Sequence, residues 1–261
     1  MQQPPTNYAE ILASRQFDYT REVIPDKIYF TIDDGINEPA VIGTAGNFVA
    51  ITGLPKAGKS TFVSALISSH LINSPVFTFS LKAYPGKFKI AIFDTEQSPY
   101  DFNRTVNRIE RFTKFERPAV FKFLDAYLTR EDNSTDILKL INTYLKNTPE
   151  CGILIIDGIL DLIDNMNDEG ASKRLIRILK RWGKKYEVLI ITILHLGKKD
   201  NSSIGHIGSA SDRYAQSTLL VEKTKEGTFT CAPKFLRSAR DFETIEIKYS
   251  EQYKNFIQIK P

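Results

Sequence analysis

Phe48-Val49-Ala50-Ile51-Thr52-Gly53-Leu54-Pro55-Lys56-Ala57-Gly58-Lys59-Ser60-Thr61-Phe62-Val63 is the stretch on which the fold turns. Residues 48–52 are an apolar run of strand length, and residues 60–71 carry Phe62, Val63, Leu66 and Ile67 at helical spacing. Between them, residues 53–60 match G-x-x-x-x-G-K-[ST] in full. A strand that passes through glycines into a helix is the setting this pattern requires. Gly53 and Gly58 let the backbone curl until its N–H groups point inward at an anion. The helix N-terminus adds partial positive charge at the same place. The spacing predicts that Gly53, Leu54, Pro55, Lys56, Ala57, Gly58, Lys59, Ser60 and Thr61 hold the phosphates of ATP. Lys59 would reach the β- and γ-phosphates, a catalytic as well as a binding role, and the Ser60 hydroxyl would ligate Mg2+.

Working outward, strand and helix patterns alternate. Strands are predicted over residues 88–93, 120–124, 153–156 and 188–194. Helices are predicted from Pro99, over residues 132–146, and over residues 171–186. After a polar, glycine-rich loop over residues 197–208, alternating segments at 217–221, 228–231, 244–249 and 256–259 read as antiparallel strands added to a parallel sheet. The expected fold is α/β: a mostly parallel central sheet flanked by helices, with antiparallel C-terminal strands. Residues 1–25 read as an arm with a short amphipathic stretch at 8–17, and residues 26–261 as one ATPase domain.

A magnesium-nucleotide site needs a carboxylate near the metal. Residues 153–156 form a buried strand that ends in Asp157, on the sheet edge where open α/β sheets bind ligands. Asp157 is therefore the candidate metal residue beside Ser60; a cap after the strand is the plainer alternative. Hydrolysis also needs a group that orients or activates water. The position after Asp157 is Gly158, so no glutamate follows directly. Glu96, in Phe93-Asp94-Thr95-Glu96, follows the strand after the first helix; RecA-like ATPases, which this order of motifs resembles, carry their catalytic glutamate at that place, so Glu96 is the candidate catalytic carboxylate, with Asp94 the weaker alternative. His195 closes the strand at 188–194, where an imidazole can hydrogen-bond a phosphate oxygen or the attacking water. The loop behind it carries Lys198, Lys199 and His206, which suits phosphate-backbone contact or simply a solvated surface.

Taken in order, the glycine loop, Asp94-Thr95-Glu96, Asp157, His195 and Gly205-His206-Ile207-Gly208-Ser209 resemble the RecA-like P-loop ATPases of the RepA/DnaB hexameric-helicase group, in particular the plasmid and mobile-element type. The resemblance runs from about Asn47 to the C-terminus. It implies a parallel core of five or more strands, assembly as a homo-oligomer (ring or filament), ATP-driven movement on single-stranded DNA, and a site completed by a neighbouring subunit. It also implies service in replication or mobilisation of a mobile element, with a protein partner from such a system. Family members carry a Lys-x-Arg pair after a late strand, and Lys223-Thr224-Lys225 stands at that place. Lysine at 225 departs from the pattern, since it lacks the bidentate geometry of arginine. Where plasmid RepA helicases have an arginine before Gly-Ser, this chain has Ile207. Lys223 and Lys225 are the candidate trans-acting residues, with Arg213, Arg237 and Arg240 as further ones.

The helix at 171–186 carries Lys173, Arg174, Arg177, Lys180, Arg181, Lys184 and Lys185 opposite an apolar stripe. Such a face can bind phosphates or an acidic partner, or can simply be solvated. A formal charge of +4 over 261 residues permits nucleic-acid binding without arguing for it. Two cysteines, Cys151 and Cys231, give neither a metal spacing nor a disulfide framework, so a cytoplasmic location is expected. The N-terminal residues lack a signal-peptide core, and no apolar run is long enough to span a bilayer. Asp33-Asp34-Gly35 resembles a fragment of a calcium loop without its remaining ligands. Two other functions fit the same motifs: an ATP switch that loads or regulates a partner without unwinding, and a non-catalytic module that binds nucleotide for stability. Glu96 counts against the second.

Overall fold

Strands covered on both faces must be apolar on both faces, and the central strands of this chain meet that demand. The computed structural model describes residues 7–36, 38–197 and 205–260. The elements are α1 (Tyr8–Ser14), β1 (Ile28–Ile32), β2 (Ala40–Thr44), β3 (Phe48–Gly53), α2 (Lys59–Ile72), β4 (Phe79–Leu81), β5 (Lys89–Asp94) and α3 (Pro99–Thr113). They continue with α4 (Arg117–Val120), β6 (Leu124–Leu128), α5 (Ser134–Asn147), β7 (Cys151–Asp157), a 3-10 turn (Ile159–Leu162), α6 (Glu169–Tyr186) and β8 (Leu189–His195). The last are α7 (Gly205–Tyr214), β9 (Ser217–Lys223), β10 (Phe229–Leu236), β11 (Ile245–Ser250) and β12 (Asn255–Lys260).

Among the described residues the main sheet has the order β12-β11-β10-β9-β3-β8-β7-β5-β6. From β9 to β6 neighbouring strands run parallel, and β10, β11 and β12 add antiparallel beyond β9. This is the expected α/β arrangement, with helices on both faces. Successive side chains of a strand point to opposite faces. Val49, Ile51, Ile153 and Ile155 pack with residues of α2 and α3, while Phe48, Ala50, Leu154 and Ile156 pack with α5 and α6.

Three features differ from the sequence expectation. The strand expected at 120–124 begins only at Leu124; Val120 is fully buried as the last residue of α4. A second sheet, β2-β1-β4, is antiparallel and covers α2. Its cover explains why α2 is buried on every side and not along one stripe. Ser64, Ser68 and Ser69 fit that interior because each hydroxyl bonds a carbonyl of the preceding turn, at 2.7–2.8 Å. Finally, the end of the predicted 197–208 loop is helical, since α7 starts at Gly205; Lys198 and Lys199 lie outside the described residues. α1 forms within the stretch read as amphipathic, but none of its residues is buried. Among the described residues no helix is long and apolar enough to cross a membrane.

Candidate active site

β3 delivers Gly53 to the sheet edge, and the loop turns through Lys56 (φ 63°) and Gly58 (φ 96°) into α2. Both glycines are also dictated by close approach. A Cβ on Gly53 would lie 2.3 Å from the Val221 carbonyl oxygen, and one on Gly58 would lie 2.4 Å from the Phe229 ring. The late strands β9 and β10 thus form the wall behind the loop, a fact that the loop sequence alone does not reveal. Ser60 and the buried Thr61 occupy the first turn of α2, with Thr61 N–H donating to the Gly58 carbonyl at 2.8 Å. Arg108 of α3 braces this turn, donating to the Ser60 carbonyl and to Ser64 Oγ, both at 3.0 Å. Burial pushes its guanidinium down to about 10.

Parallel register brings the other candidates to the same edge. Gly53 pairs with His195, and Asp94 pairs with Asp157. Lys59 Nζ donates to the carbonyls of Gly53 and Leu54, at 2.8 and 2.9 Å, and contacts His195 Nδ1 at 3.1 Å. His195 Nε2 lies 3.1 Å from Glu96 Oε2. An ammonium only donates, so Nδ1 accepts from Lys59 and the ring proton sits on Nε2, donated to Glu96. The result is a hydrogen-bonded chain Lys59–His195–Glu96. Burial pushes Lys59 down to about 8, opposed by the charges of Asp157 and Glu96. The bond from His195 holds the Glu96 carboxyl below its usual range, against the effect of burial.

Asp157 is pushed up to about 8, first by burial and then by the negative charges of Asp94 and Glu96. A carboxylate so placed suits a cation. Among the described residues no three His, Cys, Asp or Glu side chains are grouped to hold a metal by themselves. Magnesium commonly takes one or two protein ligands and completes its shell with phosphate and water, and Asp157 with Ser60 fits that habit. Asp94, the weaker catalytic alternative, is fully buried and already engaged. Its Oδ1 accepts the N–H groups of Glu96 and Gln97, at 3.0 and 2.8 Å, and its Oδ2 accepts from the Gln97 amide. It shapes the turn that presents Glu96.

A sequence model of the AAA domain family matches residues 41–201. The chain belongs to that family of P-loop ATPases. No curated protein matches it. The AAA domain match spans the glycine loop, Glu96, Asp157 and His195, and stops short of Lys223 and Lys225.

Two residues within the AAA domain were not legible as site residues. Thr95 is buried between Asp94 and Glu96, and its N–H donates to the Asp157 carbonyl at 3.0 Å. Its hydroxyl has one proton and three acceptors in reach. The shortest contact, 2.6 Å, is to the Asp161 carboxylate; the carbonyls of Asp157 and Gly158 lie at 3.0 and 3.2 Å. Gly158 has φ 95°, and a Cβ there would lie 1.9 Å from Thr95 Oγ1. Gly158 therefore stands after Asp157 because this junction leaves no room for a side chain.

The late cations are placed differently. Lys223 ends β9, exposed, with Nζ 5.5 Å from the centre of the Phe229 ring. It lines a 230 Å³ cavity with Leu54, Lys56 and Ala57 of its own loop. Lys225 is exposed in the β9–β10 turn. Neither hydrogen-bonds to Glu96, Asp157 or His195 among the described residues. Arg240 is held in a two-pronged pair with Asp34, at 2.8 and 2.9 Å, and Arg237 donates to the Arg213 carbonyl. The Asp34–Arg240 pair also gives the Asp33-Asp34-Gly35 turn a structural purpose.

Proposed function

We propose that this AAA domain protein is an ATP-hydrolysing, RecA-like motor of the RepA/DnaB type that works as a homo-oligomer on single-stranded DNA, with helicase action serving a mobile element and its protein partners. The observation that carries the reading is the Lys59–His195–Glu96 chain, with links of 3.1 Å on either side of the imidazole. It joins the loop lysine to the candidate water-orienting carboxylate through one side chain at the end of β8. Magnesium-bound ATP, when present, supplies the phosphoryl group and the cation that offsets its charge. The loop N–H groups and Lys59 bind and orient the phosphates. Asp157 and Ser60 hold the cation. Glu96, kept ionised by its bond from His195, would orient the attacking water and accept its proton.

Lys59 cannot serve an incoming phosphate fully while its protons are committed to two carbonyls and an imidazole. A bound phosphate would compete for these protons, the one shared with His195 among them. His195 closes β8 and precedes α7 in the chain, a position from which it could report phosphate occupancy to residues beyond the nucleotide. A γ-phosphate sensor requires that kind of link.

The test is ATP hydrolysis measured with and without single-stranded DNA, followed by strand displacement on a forked duplex, with Lys59→Ala as the control. DNA-stimulated hydrolysis with displacement is expected. Hydrolysis indifferent to DNA would replace the motor with an ATP switch that loads a partner. ATP binding without turnover would make the chain an assembly module.

A further inference from the structure

We infer that the exposed face of α6, continued by Arg213 of α7 and by Arg237 just after β10, is a binding track for the phosphodiester backbone of single-stranded nucleic acid. The inference rests on the proposed DNA-acting role and assigns a surface to it.

The first observation is where the charge lies. Residues 171–186 hold seven lysines and arginines and no acidic residue. Without those seven, the chain's remaining 28 basic side chains fall short of its 31 acidic ones. The basic character of the protein is therefore a property of this helix. All seven basic side chains are exposed.

The second observation is that the charge is uncompensated. Among the described residues its ion pairs lie at the N-terminal end, Lys173 with Glu169 at 2.7 Å and Arg174 with Asp168 at 3.7 Å. Among the described residues Arg177, Lys180, Arg181 and Lys184 have no acidic partner. They recur three and four residues apart and so share one face. Like charges at that spacing destabilise a helix. The buried stripe of Leu175, Leu179 and Trp182 holds α6 in place against this repulsion, and a polyanion lying along the exposed face would relieve it.

The third observation is continuity. Lys180 Nζ lies 4.6 Å from the centre of the Tyr214 ring at the end of α7. Arg237 donates to the Arg213 carbonyl in the turn beside it. Lys180, Tyr214 and Arg237 line one open groove of 420 Å³. The track thus continues from α6 across the end of α7, and α7 belongs to the segment that follows His195.

The choice between nucleic acid and an acidic protein rests on what this face lacks. None of the large apolar side chains exposed among the described residues belongs to α6 or α7. Protein interfaces centre on buried aromatic and apolar anchors and deplete charge at their core. Binding a phosphate backbone needs only cations and gains from the release of condensed counterions.

The experiment is fluorescence anisotropy of labelled oligo-dT and oligo-rU across a salt series from 50 to 200 mM. Wild type is compared with the variant carrying Arg177→Gln, Lys180→Gln, Arg181→Gln and Lys184→Gln together. None of these residues belongs to the ATP site, so hydrolysis without nucleic acid stays at the wild-type rate and certifies the fold. Binding of both oligomers is expected to weaken at least tenfold at 50 mM salt. The slope of log affinity against log salt should become shallower by about 3, near 0.7 for each cation removed. A charge-preserving control, Arg177→Lys with Arg181→Lys, should keep the wild-type slope. Wild-type affinity and slope in the glutamine variant would overturn the inference and leave the motor reading standing. Displacement of the oligomers by polyglutamate at equal charge would overturn it in favour of an acidic protein. No binding by wild type to either oligomer at 50 mM would end both this inference and the DNA-acting role.

Discussion

β8, β7 and β5 lie on one side of β3, and their ends carry His195, Asp157 and the approach to Glu96; β9 lies on the other side and ends in Lys223. The first side is assembled within one chain. Its Glu96 carboxylate, the imidazole and Lys59 are linked by hydrogen bonds, and Asp94 is spent on shaping the turn before Glu96. On the second side a lysine is stacked over an aromatic ring and another sits in an exposed turn. The contrast suggests a division in the chemistry. The acids on the first side are gathered at a cost in burial and mutual repulsion, which push Asp157 up to about 8, and groups proposed to hold water and metal gain from such fixed placement. Cations that neutralise charge in the transition state can be supplied late and from elsewhere.

The largest effect should come from the assembled side. Glu96→Gln is expected to keep ATP binding and lower turnover by roughly 10²–10⁴-fold, because the amide retains the shape and cannot take a proton. Equilibrium binding of a fluorescent ATP analogue beside steady-state turnover checks both halves. Full turnover in this variant would move the catalytic carboxylate elsewhere and dissolve the contrast. The effect of Thr95→Val should be smaller, roughly 10- to 100-fold in kcat with little change in KM, because the loss is in Glu96 placement. Thr95→Ser keeps the hydroxyl and should recover most of the rate. If Val and Ser behave alike, the 2.6 Å bond to Asp161 has no part in presenting Glu96.

His195 offers a pH test of the same side. Its bond is the main reason that the Glu96 carboxyl sits below its usual range. On the proposed role of Glu96 as the base, activity is present above its pKa and lost as pH falls through it. Removing the imidazole in His195→Ala should therefore shift the acid limb of the kcat profile to higher pH. An acid limb that does not move would show that His195 and Glu96 are not in contact during turnover.

The parallel core was legible because buried strands announce themselves: residues 153–156 are apolar throughout, residues 188–194 are apolar but for Thr192, and the AAA domain loop has a full consensus. The small sheet was not legible. β4 has three residues and follows Phe77 at φ 57°, too short a run to show a period. β6 was misplaced because Val120, Phe121, Phe123 and Leu124 are all apolar, and nothing local says that Val120 ends a helical turn while Leu124 begins a strand. Thr95 was invisible for a different reason. Its partner Asp161 lies 66 positions later and meets it only because β5 and β7 are neighbours. Residue type exposed the reacting groups; the groups that aim them emerged from topology.

The unassembled side yields the smallest expected effect and the sharpest test of the contrast. Within one chain no arginine lies in the motifs at the sheet edge, and Arg240 is committed to Asp34. Lys223 and Lys225 are free of ion pairs among the described residues, and Lys223 stands beside a glycine loop whose acids lie across β3. If they act on a neighbouring subunit, alanine at both should lower turnover about tenfold, less than the loss of an arginine finger because lysine neutralises charge without the bidentate fork. ATP affinity should hardly change. Activity per subunit should rise with protein concentration, since each site needs two chains. Mixing provides the decisive comparison. A Lys223→Ala, Lys225→Ala subunit retains Glu96, and a Glu96→Gln subunit retains both lysines, so one of the two mixed interfaces contains every group. Turnover of the mixture should exceed the mean of the two separate preparations. If the mixture gives only that mean, and specific activity is flat across dilution, Lys223 and Lys225 serve their own chain, and the two sides of β3 form a single site.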